Sequence, residues 1–223
     1  MKTIRIIALA ALSLLLSACN GFRMQTDYKY ESSPLDPHIK MNAWEYMNSR
    51  EDLSEMVAAV EFTGLQDRYS QTDRTITYLF LNNTAMDNFK NAHGQVSQII
   101  YCDQDEVSRL LLYHMVVGEY HSLNQQLPVE PIYVKTVLSE ATELLGPNGK
   151  DWGLMTLKVN KSSSNSIGSP IANGNIVANE KGSNFNSRRA SSVASNIMPT
   201  NGVVHIMNDY AMFRKTYTED TPY

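Results

Sequence analysis

The sequence predicts an α+β domain. Two observations carry that reading. Apolar residues recur at helical spacing between Ser49 and Gly118, and from about Gln126 the period changes to two, in short runs without regular helix–strand alternation. A doubly wound parallel sheet needs that alternation, so helices first and strands afterwards point elsewhere.

Element by element, Leu53, Met56, Val57 and Val60 fall on one helical face, with Ser49 and Asp52 at the spacing of a capping box. Gly64 is placed to stop this helix, with Leu65 folding back as its apolar partner. Thr75–Leu81, rich in threonine, isoleucine and aromatics, reads as a strand, and Asn83 as the cap of a helix running to about His93 and Gly94. Asp103 and Glu106 form the next capping pair, after which Val107, Leu110, Leu111 and His114 share a face in a helix that leaves through Gly118. Strands are expected at Ile132–Val137, Leu154–Asn160, Ile176–Ala178, Val193–Ile197 and Val203–Met207. Lys161–Asn175, dense in serine, asparagine and glycine, reads as a loop between strands, because too little chain follows it for an independent core.

The N-terminus has Lys2 and Arg5, an apolar run from Ile6 to Leu16, then Ser17-Ala18-Cys19. This is the three-part layout of a secretory signal, with an apolar core too short to span a membrane. The Leu16-Ser17-Ala18-Cys19 ending resembles a bacterial lipoprotein signal, whose cysteine is acylated and becomes the first mature residue. The expected organisation is a signal peptide over 1–18, lipidated Cys19 and an extended tether over 19–37, one domain over 38–216 and a tail over 217–223. An ordinary secreted protein cleaved nearby is the alternative. Several acyl chains anchor firmly where one binds only reversibly.

With 23 acidic against 19 basic residues, the chain lacks the basic excess that phosphate backbones attract, which excludes nucleic acid as a partner. Cys102 is the only cysteine besides Cys19, so folding must rest on a packed core and not on an internal disulfide. Asp103 and Asp105 beside Cys102 disfavour a reactive thiolate.

Thr77–Met86, Leu112-Tyr113-His114 with Gly118, and Asn201–Ile206, in that order, resemble the fasciclin domain family over roughly Asn42 to Phe213. Thr77-Tyr78-Leu79-Phe80-Leu81-Asn82-Asn83-Thr84-Ala85-Met86 is similar to the family's strand-to-helix segment, with Leu79-Phe80-Leu81-Asn82 where a phenylalanine, alanine, proline, threonine run is usual. Leu112-Tyr113-His114, followed by Gly118, is similar to the tyrosine–histidine motif associated in animal relatives with cell-adhesion contacts. Asn201-Gly202-Val203-Val204-His205-Ile206 matches closely, with Met207-Asn208 where isoleucine–aspartate is common. The resemblance implies N-terminal helices packed on short-stranded β-sheets in a β-wedge, a binding habit and no reaction. On the same basis Tyr113, His114, Asn201, Gly202 and His205 become the candidate binding residues.

Physical reasons meet the resemblance at the last segment. Asn-Gly accepts positive φ in a tight turn, and Val203, Val204 and Ile206 are stiff strand formers. If Val204 and Ile206 face the core, His205 faces the other side of the sheet. His114 and His205 read first as hydrogen-bonded, partly buried side chains, and the sharper reading makes Tyr113 and His114 an accessible contact patch.

No catalytic residues, cofactor or metal are expected. His114, Glu119 and His121 lack a paired ligand spacing, and Gly146-Pro147-Asn148-Gly149-Lys150 is a turn and not a phosphate loop. No nucleophile elbow, Cys-x-x-Cys pair or dinucleotide fingerprint is present. Trp44, Tyr46 and Trp152 are the aromatics expected to be exposed, and Arg188-Arg189 reads as a solvated turn or a polar contact patch. The resemblance and the lipoprotein-like ending together imply a non-enzymatic, lipid-anchored adhesion or binding module on the outer membrane of a Gram-negative bacterium. Its expected partners are an envelope protein or a polysaccharide. The alternative is a structural accessory subunit of an outer-membrane glycan-uptake complex, docked on its transporter.

Overall fold

The computed structural model describes residues 37–122, 127–141, 153–160, 174–180 and 188–211. Cys19, the tether, Trp152, the Gly146–Lys150 turn and most of the Lys161–Asn175 loop lie outside them.

Asn42 opens the first helix, α1 (Ala43–Asn48). Its Oδ1 accepts the Glu45 N–H at 2.8 Å, and the Glu45 carboxylate accepts the Asn42 N–H at 3.0 Å. The capping box expected at Ser49 and Asp52 therefore sits one helix earlier. Ser49 instead donates its hydroxyl to the Tyr46 carbonyl, and Asp52 pairs with Arg50. A 3-10 turn, Glu51–Leu53, leads into α2 (Ser54–Thr63), which buries Met56, Ala59 and Val60. Gly64 ends α2 at φ +71°, with its N–H on Glu61 and the Leu65 N–H on Val60, the paired bonds of a Schellman turn.

After α3 (Gln66–Ser70), β1 (Ile76–Leu81) is buried along its whole length, because sheet and helices cover both its faces. The next helix, α4 (Asn83–Ala92), is capped by Asn82, not Asn83. Asn83 turns the other way: its Oδ1 accepts the Glu55 N–H and its Nδ2 donates to the Glu51 carbonyl, so it ties the start of α2 to α4. Asp103 caps α5 (Gln104–Tyr113) as expected.

α5 stops at Tyr113 and does not run to Gly118. Met115–Val117 instead forms β2, which pairs antiparallel with β1, and the Leu79 N–H reaches the His114 carbonyl at 2.8 Å. A sheet edge needing a partner outweighs three more residues of helix, and Val116 and Val117 suit a strand better. The later strands are β3 (Ile132–Lys135), β4 (Leu154–Asn160), β5 (Asn175–Ala178), β6 (Ala190–Ile197) and β7 (Gly202–Met207). Val137, expected to end a strand, begins the short helix α6 (Val137–Ala141).

The seven strands run in the order β2-β1-β7-β6-β5-β4-β3. β1 and β7 pair in parallel, Ile76 opposite Gly202 through Leu81 opposite Met207, and the other neighbours are antiparallel. A bridge between Val116 and Thr136 brings the two edge strands together, so the sheet curls towards a barrel. One apolar cluster extends from Ala43 to Ala211, as a single domain requires. The incoming segment is tied down beside the β6–β7 turn, with the Ile39 N–H on the Met198 carbonyl and the Met198 N–H on the Pro37 carbonyl.

Two glycines separate the cost of conformation from the cost of space. At Gly64 a Cβ would meet nothing within 4 Å, so Gly64→Ala should cost only the left-handed backbone penalty of about 1 kcal/mol. At Gly202 a Cβ would lie 2.0 Å from the Ile76 carbonyl oxygen, which forces β7 away from β1. Gly202→Ala should therefore cost more than about 3 kcal/mol or abolish folding, as read by urea unfolding of the two variants side by side. Equal costs would contradict the parallel register.

Candidate binding surface

Asn201 and Gly202 form the turn into β7, and their chemistry is spent largely on the fold. Asn201 is buried. Its Oδ1 accepts the Ala43 N–H at 2.8 Å, and its Nδ2 donates to the carbonyls of Tyr69 at 2.8 Å and Gln71 at 2.9 Å. One amide thus holds the start of α1 and the end of α3 against the β6–β7 turn.

Both candidate histidines are fully enclosed, and their partners set their tautomers. His114 Nδ1 donates to the Leu110 carbonyl at 2.8 Å, leaving Nε2 to accept the Ala211 N–H at 3.0 Å. His205 has the opposite arrangement: Nε2 donates to the Tyr120 carbonyl at 2.8 Å and Nδ1 accepts the Asn196 N–H at 3.2 Å. Asn196 can make that bond because it sits at φ +63° where the β6 register shifts against β7. Burial pushes both imidazoles down to about 4. Alternation placed His205 on the face away from Val204 and Ile206, and that other face is covered as well: every residue from Val203 to Met207 is buried.

Tyr113 is 1% exposed, with its hydroxyl 3.1 Å from both the Leu154 carbonyl and the Asn179 Oδ1. Burial raises its pKa. An accessible Tyr113–His114 patch is therefore not what the fold builds. Both side chains point inward at the end of α5, where they join that helix to β4 and to the segment after β7.

A helical layer, a curled seven-stranded sheet with one parallel pair and a buried Tyr-His and Asn-Gly framework are now in place. The fasciclin domain family model matches residues 51–212. The chain belongs to the fasciclin family. Fasciclin domains are adhesion and binding modules, in general without catalysis. A FAS1 domain pair from the insect cell adhesion molecule Fasciclin I superposes with a TM-score of 0.51 at 12% identity, over 76% of this chain and 50% of that one. At that identity the likeness speaks for the fold, and the chain spans half the length of the pair. No curated protein matches the chain.

Elsewhere, this fasciclin domain departs from expectation in three places. Trp44 and Tyr46 are partly buried and pack against the core. Arg188 is no solvated turn: its guanidinium pairs with the Asp209 carboxylate at 2.7–2.9 Å and lies 4.3 Å over the Tyr210 ring, while Arg189 pairs with Glu180 at 3.4 Å. Burial, and not the neighbouring aspartates, raises the Cys102 thiol pKa and so disfavours its thiolate. Among the described residues, no three His, Cys, Asp or Glu side chains converge in the manner of a metal site.

Of the five candidate residues, Asn201 and Gly202 reach the rim of an open depression. Its remaining wall comes from Thr72–Thr75, Glu119, Pro199 and Thr200, and a second depression shares Asp73 and Arg74. The α3–β1 loop that carries Asp73 and Arg74 has no apolar period, so nothing in the sequence pattern singled it out.

The enclosed histidines predict a definite pH response. Each is neutral in the fold down to about pH 4 but titrates near 6.5 once unfolded, so the unfolded chain binds more protons between those values. Stability is full above pH 6.5, falls as pH drops towards 4, and loses about 3 kcal/mol per histidine across the window. Urea unfolding at pH 7.5 and pH 5 should show this drop, and His114→Gln, whose amide oxygen can still accept the Ala211 N–H without titrating, should lessen it. An unchanged unfolding free energy would contradict the neutral pair.

Proposed function

We propose that this fasciclin domain is a non-enzymatic adhesion or binding module of the cell envelope, held to the outer membrane by acyl chains on Cys19. It grips a protein or a carbohydrate through the open polar face beside Asp73, Arg74 and the Asn201–Gly202 turn. The observation that carries this reading is where the reactive groups lie. Tyr113, His114 and His205 are enclosed with their hydrogen bonds committed to the backbone and Asn179, so what the domain offers a partner is loops and hydrogen-bonding groups. Family membership supports binding over turnover.

The anchor rests on Lys2, Arg5, the Ile6–Leu16 run and the Leu16-Ser17-Ala18-Cys19 ending. Cys102 is buried, which leaves Cys19 as the thiol available for acylation. The described helices are neither long nor apolar enough to cross a membrane, and attachment through lipid rests on the N-terminal residues alone.

The test is expression of the natural chain and Cys19→Ser in a Gram-negative host fed an alkyne fatty acid. The natural chain should take the label and fractionate with outer membranes, and Cys19→Ser should lose both. A Cys19→Ser protein that stays in the membrane overturns the anchor. Co-isolation of the labelled protein from gently solubilised membranes then reads its partner: a stoichiometric transporter would make it an accessory subunit instead. Turnover of a polysaccharide or peptide by the purified protein would overturn the non-enzymatic reading.

A further inference from the structure

We propose that the face on either side of Asp73 and Arg74 is a binding site for an uncharged oligosaccharide. The inference rests on the binding-module reading and names its site and ligand class. Two depressions, of about 350 and about 280 Å³, share Asp73 and Arg74 as a common wall. Both are open to solvent at the ends of the strands. Together they form one extended site with two adjoining parts, the form a chain of sugar rings fits.

The lining sets the chemistry. Thr72, Thr75 and Thr200 offer hydroxyls, Asp73, Glu119 and Glu140 accept, and Arg68 and Arg74 donate. Apolar side chains contribute only Val137 and Pro199. A hydrophobic ligand would leave these groups desolvated and unpaired, at a cost for each. The large exposed apolar side chains, such as Ile100, Tyr101 and Val193, lie outside both depressions, so an apolar protein anchor has no seat here.

Charge narrows the class further. Two guanidinium groups face three carboxylates, and Arg74 is already paired with Glu140. An anionic polymer would meet Asp73, Glu119 and Glu140, and a cationic one would meet Arg68 and Arg74. A polyhydroxyl chain meets neither penalty, because each hydroxyl can both donate and accept.

The site is backed by rigid structure. Asn201 fixes the Gln71 and Tyr69 carbonyls, Gly202 is pressed against β1, and the Thr200 N–H is held by the Met41 carbonyl at 2.9 Å. A preformed floor lowers the ordering cost of binding a flexible chain.

The experiment titrates the full-length lipidated protein, in a zwitterionic detergent free of sugar headgroups, with maltohexaose, cellohexaose, xylohexaose and mannohexaose. Hexagalacturonate serves as the anionic comparator, and binding is read by calorimetry. At least one neutral hexasaccharide should bind with Kd below about 1 mM. Asp73→Ala should weaken it at least about tenfold, the loss of a hydrogen bond to a charged group, and Thr200→Ala should weaken it by less. Both side chains are exposed, so thermal midpoints should match the natural chain and show that folding is intact.

Three results overturn the proposal: no neutral oligosaccharide binds, both variants bind as tightly as the natural chain, or hexagalacturonate binds better. If no neutral oligosaccharide binds while the natural chain still co-isolates a protein partner from membranes, the oligosaccharide site fails and the binding module stands. If nothing binds in either assay, both fail.

Discussion

The rest of the structure depends on the parallel contact between β1 and β7. These strands lie far apart in sequence, one following the first helices and the other near the end, so their pairing closes most of the domain around itself. It requires Gly202, because any side chain there would strike the Ile76 carbonyl oxygen. It also requires Asn201 beside it, whose amide holds α1 and α3 while the strands are held in register. Once β7 is fixed against β1, β6 adds to its free edge and the remaining strands follow to the bridge between Val116 and Thr136.

The two histidines extend that constraint in opposite directions. His205, on β7, reaches Tyr120 beyond β2 and the shifted backbone of Asn196 on β6. His114, at the end of α5, reaches Ala211 beyond β7. The bonds to Tyr120 and to Ala211 join segments that lack a direct backbone pairing, and each histidine makes its pair of bonds only while neutral, since a second ring proton would face a donor. The residues that carry the family resemblance are thus the ones this topology needs for closure, and that is why they are enclosed. Arg188, Asp209 and Tyr210 secure the same C-terminal segment from outside, through ion pair and ring.

Much of this was legible in the sequence, and the boundary follows the range of the interactions. Local signals held: Gly64 ends α2, Asp103 caps α5, and β4 spans the residues that alternation indicated. Adjacent rivals misled, as with Asn82 and Asn83, because either asparagine satisfies the capping rule and only the packing of α2 selects one. Met115–Val117 continues the apolar period of α5, so its passage into β2 is decided by β1 alone. The parallel pairing, the shift at Asn196 and the Arg188–Asp209 pair are long-range facts with no local period. Asn201 and Gly202 were found through their motif, whereas Asp73 and Arg74 emerge only when α3, β1 and the β6–β7 turn come together.

That division also bears on how the domain can bind. A side chain that fixes the topology is dehydrated and has its hydrogen bonds committed, so a partner could use it only by first breaking the contact that keeps β7 in place. The loops at the strand ends have no such duty. Their backbone is held from below by Asn201 and Gly202, while Thr72, Asp73, Glu119 and Thr200 remain exposed. A rigid base under an exposed polar rim is the usual division of labour between scaffold and recognition loop. It lets the rim change in sequence while the closure beneath it stays the same.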